Sequence, residues 1–119
     1  MNTQRPPWAW LFIPQLALVS AATVLATTGR FPSALFCSPF DKVGHLCAYG
    51  GLAFLGVAFF GRARRWPVIV VLLAAATLEE LSQRLFPTRT FDLGDLAMNV
   101  VGIVLFGVAA AALTPRAPT

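Results

Sequence analysis

Ten polar side chains stand at matching ends of the hydrophobic stretches of this sequence. They begin the second stretch, end the third and begin the fourth: Asp41, Lys42, His45, Tyr49, Glu80, Gln83, Arg89, Asp92, Asp95 and Asn99. Carboxylates and an imidazole can transfer protons, and cations and amides can hold a polar ligand through charge-assisted hydrogen bonds. Ionisable groups at membrane depth are costly and mark a functional site by default. We therefore treat these ten residues as one candidate site.

Helical spacing predicts that these residues share faces. Asp41, His45 and Tyr49 are four residues apart in the sequence, so they stack on one side of a helix. Asp92, Asp95 and Asn99 follow at steps of three and four residues, so they also share one face of a helix. At about 1.5 Å of rise per residue, His45 lies roughly one turn and Tyr49 roughly two turns inside the membrane. The spacing thus predicts a pocket with depth, and Glu79 is expected to face away from it.

The composition predicts the fold class in which such a site would be held. Of the 119 residues, 57% are hydrophobic and 12% are charged, whereas soluble domains carry about 25% charged residues. A membrane-spanning helix needs roughly 20 apolar residues, and four stretches meet this length. We predict an all-α integral membrane domain over residues 1–119, with four transmembrane helices in an up-down-up-down bundle. The spans are expected at about residues 8–28, 43–61, 66–83 and 95–113.

Charge distribution predicts the orientation. Arg62, Arg64 and Arg65 form a compact basic loop between the second and third spans, which is typical of a cytoplasmic loop. We therefore expect a multi-pass protein of the cell membrane, with both termini in the cytoplasm and the polar site outside. The net charge of +4 does not indicate nucleic acid. A cleaved signal peptide is the alternative for the first span, although its apolar run exceeds the roughly 7–15 residues of an h-region.

The polar motifs resemble those of the VanZ-like family. They read Asp41-Lys42-x-x-His45-x-x-x-Tyr49, then Glu80-x-x-Gln83, then Pro87-x-Arg89-x-x-Asp92-x-x-Asp95-x-x-x-Asn99-x-x-Gly102. The resemblance covers about residues 41–107, and Thr88 stands where the family commonly has glycine. It implies a small bacterial membrane protein associated with glycopeptide resistance, teicoplanin in particular. It implies no reaction, so the cofactors stay open.

Three functions fit this site. In the first, it recognises a polar head group, a lipid-linked cell-wall precursor or a glycopeptide, with Lys42, His45 and Arg89 holding phosphate or carboxylate. In the second, the protein is an intramembrane enzyme, with His45, Glu80 and Asp95 as candidate catalytic residues. In the third, it is a small proton-coupled exporter, although its first span carries only Gln15 as a polar candidate. The expected partners also include membrane lipids.

Two further expectations concern metals and cysteines. No metal site is predicted, because the chain has one histidine and the spacing of its acidic residues is not diagnostic. Cys37 and Cys47 are expected to be free thiols, with Cys47 packed inside the bundle. Asp41 is expected to cap the second helix, and Asp92 or Asp95 the fourth.

Overall fold

Four α-helices dominate the computed structural model, which describes residues 5–30, 40–86 and 91–115. The helices are α1 (Phe12–Thr27), α2 (Phe40–Phe60), α3 (Arg65–Ser82) and α4 (Leu93–Leu113). Shorter 3₁₀ turns cover Pro7–Leu11, Arg62–Arg64 and Gln83–Leu85. No strand occurs in the described part of the chain, which confirms the all-α class. Cys37 and Arg89 lie outside the described residues.

Three helical segments are long and apolar enough to cross a membrane. They are Pro7–Thr27, Asp41–Phe60 and Leu93–Leu113. A helix of 21 residues is about 31 Å long, which matches a hydrocarbon core of about 30 Å. The predicted third span also forms a helix, α3, but it is shorter at 18 residues. It is also less apolar, because it carries Arg65 at its start and Glu79 and Glu80 near its end.

Large apolar side chains cover the outside of the molecule. The exposed fraction is 66% for Leu18 in α1, 67% for Leu78 in α3 and 59% for Leu105 in α4. Soluble proteins rarely expose continuous apolar surfaces of this kind. The surface therefore fits a lipid environment, and it includes α3 as well as the three more apolar segments.

Helices α2 and α4 form the tightest pair in the bundle. The backbones approach closely where Gly102 of α4 faces Gly50 of α2. A Cβ atom on Gly102 would lie only 2.8 Å from the carbonyl oxygen of Leu46. Small residues allow this kind of contact between membrane helices. The apolar core continues from this contact through Leu52, Ala53, Ile69, Ala76 and Ile103, which are all buried.

The ends of the helices follow from local sequence. Gly61 ends α2 with a φ of 96°, a left-handed conformation that glycine adopts without a steric penalty. Asp92 caps α4, because its side chain accepts a hydrogen bond from the Gly94 N–H at 2.7 Å. Helix α2 begins at Phe40, so Asp41 lies within the first turn. The prediction that Asp41 caps this helix is therefore wrong, because a cap precedes the first helical residue.

Helix α1 packs mainly on α2. The Trp8 ring lies 5.6 Å from the Phe54 ring, and the Trp10 ring lies 5.2 Å from the Phe59 ring, centroid to centroid. Gln15 Nε2 donates to the Ala48 carbonyl oxygen at 3.3 Å.

Cys47 is a free thiol but is exposed on α2, so the prediction that it packs inside the bundle is wrong.

Candidate functional site

The start of α2 and the start of α4 meet at a cluster of charged residues. Lys42 Nζ lies 2.6 Å from Asp95 Oδ1, 2.8 Å from Asp92 Oδ2 and 3.4 Å from Asp41 Oδ2. We call Asp41, Lys42, Asp92 and Asp95 the aspartate cluster. One ammonium group thus faces three carboxylates, and the Lys42 side chain is 27% exposed. Because an ammonium has three N–H donors, the carboxylates of this protein can use all of them.

Asp92 connects three helices. Its Oδ1 caps α4 through the Gly94 N–H, and its Oδ2 binds Lys42 of α2. Its backbone N–H donates to Glu80 Oε1 of α3 at 3.0 Å. The ammonium of Lys42 and, to a lesser extent, the N–H of Gly94 hold the pKa of Asp92 below its usual value. Asp92 is therefore ionised at neutral pH, and its side chain is 45% exposed at the mouth of the site.

His45 lies one turn below the aspartate cluster, between two residues of α4. Its Nδ1 is 3.0 Å from Asn99 Oδ1, and its Nε2 is 3.5 Å from Asp95 Oδ2. Asn99 is almost fully buried, and its Nδ2 has no hydrogen-bond partner. The distance from Nε2 to Asp95 exceeds that of a normal hydrogen bond. Both ring nitrogens nevertheless face groups of the protein itself.

Glu80 and Gln83 form the part of the site that α3 contributes. Glu80 is fully buried and Gln83 is 3% exposed. Gln83 Nε2 donates to Glu80 Oε2 at 3.0 Å, while the other oxygen of Glu80 accepts the N–H of Asp92. A fully buried carboxylate is costly unless it is hydrogen-bonded. These contacts fix the end of α3 against the start of α4.

A second polar group lies deeper and includes a residue that the sequence analysis placed elsewhere. The Tyr49 hydroxyl donates to Glu79 Oε2, and the Thr23 hydroxyl of α1 lies 3.4 Å from Glu79 Oε1. Glu79 therefore points into the bundle, and the expectation that it faces away is wrong. Its spacing of four residues from Gln83 was the available signal. Thr23 carried no signal, because isolated threonines are common in membrane helices.

A family model described as VanZ/LLP1 matches residues 3–114. The chain belongs to the VanZ/LLP1 family. The match includes all four helices, whereas the motifs identified in the sequence covered only residues 41–107. Neither the curated proteins nor the solved structures gave a significant match to the chain.

Three carboxylates of this VanZ/LLP1 protein lie close enough together to bind one metal ion. Asp41, Asp92 and Asp95 each offer an oxygen within 4.8 Å of the others, and such oxygens suit hard cations. The Lys42 ammonium, however, contacts all three carboxylates, so a metal ion between them would have to displace it. The residues present thus fit an internal ion cluster better than a metal centre. Arg89, the remaining predicted site residue, lies outside the described residues.

Proposed function

We propose that this VanZ/LLP1 protein is a four-span membrane protein whose outward polar site binds a donor-rich polar group. The group would belong to a lipid-linked envelope precursor or a glycopeptide antibiotic such as teicoplanin. The proposal includes an up-down-up-down order of the helices in the cell membrane, with both termini in the cytoplasm. Its biological consequence would be altered envelope physiology or glycopeptide tolerance.

The surface of α3 supports a fourth crossing. Val70, Val71 and Leu78 are each at least 61% exposed, and an unpaired apolar surface of this kind favours lipid as its surroundings. An 18-residue helix is about 27 Å long, so it needs only slight thinning of the bilayer or help from its charged ends. Arg65 lies at the start of α3 and the exposed Arg84 lies just beyond its end, where each could reach an interface.

The contacts of Lys42 carry the argument about the ligand. Three carboxylates surround one ammonium, so the aspartate cluster has two more negative than positive charges when all are ionised. This balance disfavours phosphate binding at Lys42, which was the initial hypothesis from the sequence. It favours amines, hydroxyls and amides, which donate hydrogen bonds to carboxylates. Asp92, with its side chain 45% exposed, is the first group that such a ligand would meet.

The contacts of His45 make an enzyme the second candidate. An Asp–His pair is a common arrangement for general acid–base catalysis, and Asp95 lies 3.5 Å from the imidazole. A general base must, however, present a nitrogen to the substrate. Asn99 and Asp95 face the two nitrogens of His45, so proton abstraction would require one of these contacts to open. Binding needs no such rearrangement and is therefore preferred.

The proposal is tested with the full chain in lipid nanodiscs and teicoplanin as the titrated probe. The decisive variant is Asp92→Asn, because asparagine caps a helix about as well as aspartate but removes one negative charge. We expect at least a roughly tenfold weaker affinity, as for the loss of one charge-assisted hydrogen bond. The control is Arg84→Gln, which changes an exposed charge near Phe91 outside the site. If teicoplanin and extracted envelope lipids bind protein-loaded and empty nanodiscs equally, the proposal is wrong.

Profiling of lipids and cell-wall precursors, with the protein present and absent, distinguishes the two candidates. Binding should leave the chemical species unchanged, whereas an enzyme would convert one species into another. The comparison includes His45→Gln, which keeps a polar side chain but removes the imidazole. A converted species that disappears in this variant would replace the binding proposal with the enzyme.

A further inference from the structure

The structure has a second candidate binding site, at the opposite end of the bundle from the aspartate cluster. A cavity of about 270 Å³ lies between α1, the end of α2 and the start of α3. It is lined by Phe12, Phe60, Arg64, Pro67, Val68, Val71 and Leu72. Every lining residue except Arg64 is apolar. Its volume is slightly below the range of about 300–1,000 Å³ for ligand pockets, so it would accept only a slender apolar group.

Arg64 gives this cavity a charged rim. Arg64 is exposed, and within residues 40–86 and 91–115 its guanidinium has no hydrogen-bond or ion-pair partner. The neighbouring Arg65 differs, because its Nη1 donates to the Arg62 carbonyl oxygen at 3.1 Å. Arg64 can therefore bind an anion in front of the cavity, and Arg62 and Arg65 strengthen the positive potential there. Clustered basic residues at a helix end attract anionic lipid.

Aromatic residues indicate the depth of this cavity in a membrane. Trp66 is 55% exposed and follows the basic loop directly, and Trp8 is 40% exposed on the segment before α1. Exposed tryptophans favour the level of the lipid head groups. A cavity that begins at this level and is apolar inside has the polarity of a phospholipid, with its phosphate outside and its acyl chain inside.

We propose that this cavity binds one acyl chain of an anionic phospholipid whose phosphate pairs with Arg64. The lipid fills the gap between α1 and α3, each of which packs against α2. It would add a contact between Phe12 of α1 and the lining residues of α3. This site goes beyond the proposed function, shares no residue with the aspartate cluster and does not depend on it.

The test uses the full chain in phosphatidylcholine vesicles that contain brominated phosphatidylglycerol or, separately, brominated phosphatidylcholine at the same fraction. Bromine quenches tryptophan fluorescence at short range, and Trp66 adjoins the lining residue Pro67. We expect stronger quenching by brominated phosphatidylglycerol at equal fraction. The Arg64→Gln variant should reduce this selectivity about fivefold, the equivalent of about 1 kcal/mol for one arginine at an anionic surface.

Two more variants separate the cavity from a general effect of charge. Val71→Phe adds volume to the lining and keeps Arg64, so it should lower the selectivity without changing the net charge. Arg84→Gln removes a positive charge at the other end of α3 and should keep the selectivity of the wild type. Equal quenching by the two brominated lipids in the wild type overturns the proposal. An equal loss of selectivity in Arg84→Gln and Arg64→Gln also overturns it. So does inorganic phosphate that abolishes the selectivity without any lipid chain.

Discussion

Replacing Gly102 by alanine should force α2 and α4 apart. The added Cβ would lie 2.8 Å from the carbonyl oxygen of Leu46 and 3.3 Å from the Cα of Gly50. Both are backbone atoms, so neither can rotate away as a side chain would. Reaching an ordinary contact of 3.4 Å requires a shift of about 0.6 Å at this point. Overpacking of this kind costs about 1–3 kcal/mol of the free energy of unfolding.

The same shift would reach the polar site, because Gly102 lies one turn beyond Asn99. If α2 and α4 separate by about 0.6 Å, the 3.0 Å distance from His45 Nδ1 to Asn99 Oδ1 grows to about 3.6 Å. That is outside the range of a hydrogen bond. Gly102→Ala should therefore weaken teicoplanin binding as well as stability, although residue 102 carries no polar side chain.

The assay measures unfolding of the full chain in detergent micelles by far-ultraviolet circular dichroism, with increasing dodecyl sulfate. The matched control is Gly44→Ala on α2, because a Cβ at Gly44 would meet nothing within 4 Å. Alanine should there leave stability unchanged or raise it by up to about 1 kcal/mol, from helix propensity alone. The reasoning fails if Gly102→Ala matches the wild type, or if Gly44→Ala loses as much stability.

Four further predictions follow from the aspartate cluster, the deep polar group and the basic loop. Lys42→Gln should lower the free energy of unfolding by about 1–3 kcal/mol. This is less than the roughly 3–5 kcal/mol of a fully buried pair, because Lys42 is 27% exposed. Adding Asp95→Asn should recover part of this loss, and no recovery in denaturant titrations would contradict the pairing. Because the pKa of Asp92 is lowered in the folded protein, its contribution to stability is complete above a pH of about 4 and is lost as the pH falls further. The free energy of unfolding should therefore fall less between pH 7 and pH 3 in Asp92→Asn than in the wild type. An equal fall in both proteins would contradict this role of Asp92. Tyr49→Phe removes a hydrogen bond to Glu79 and should lower the melting temperature, at a cost of about 0.5–1.5 kcal/mol for one lost hydrogen bond. A melting temperature equal to that of the wild type would refute this role. A reporter enzyme that is active only outside the cytoplasm should be inactive when fused at Arg64, and activity there would invert the proposed orientation.

The sequence predicted the positions of the helices and the sharing of faces because both depend on local chemistry. Apolar length determines where a helix can lie in a membrane, and a spacing of three or four residues determines which side chains stack. His45 and Asn99 were expected in one pocket on this basis, and the structure places them 3.0 Å apart. The third predicted span forms the helix α3 but is not among the three candidate membrane spans, since its acidic residues lower its apolar character.

Contacts between helices could not be predicted, because they depend on rotation and register. Each residue turns a helix by about 100°, so Glu79 and Glu80 point in quite different directions, and small rotations decide which of them faces the bundle. In the structure Glu79 accepts a hydrogen bond from Tyr49, and Glu80 accepts one from the backbone N–H of Asp92. Lys42 was expected to receive a ligand, but the close approach at Gly102 brings Asp92 and Asp95 onto it. Composition alone does not determine that approach.

The order of synthesis adds a consequence to the pairing of Lys42. Its partners Asp92 and Asp95 follow it in the chain by 50 and 53 residues. At roughly 5–20 residues per second, they leave the ribosome about 3–10 s later than Lys42. During that interval Asp41 is the one of its three carboxylate partners that has already been made. The start of α2 must therefore stay at the water interface until α4 has been made, and a nascent chain that stops after α3 should hold α2 only loosely in the bilayer.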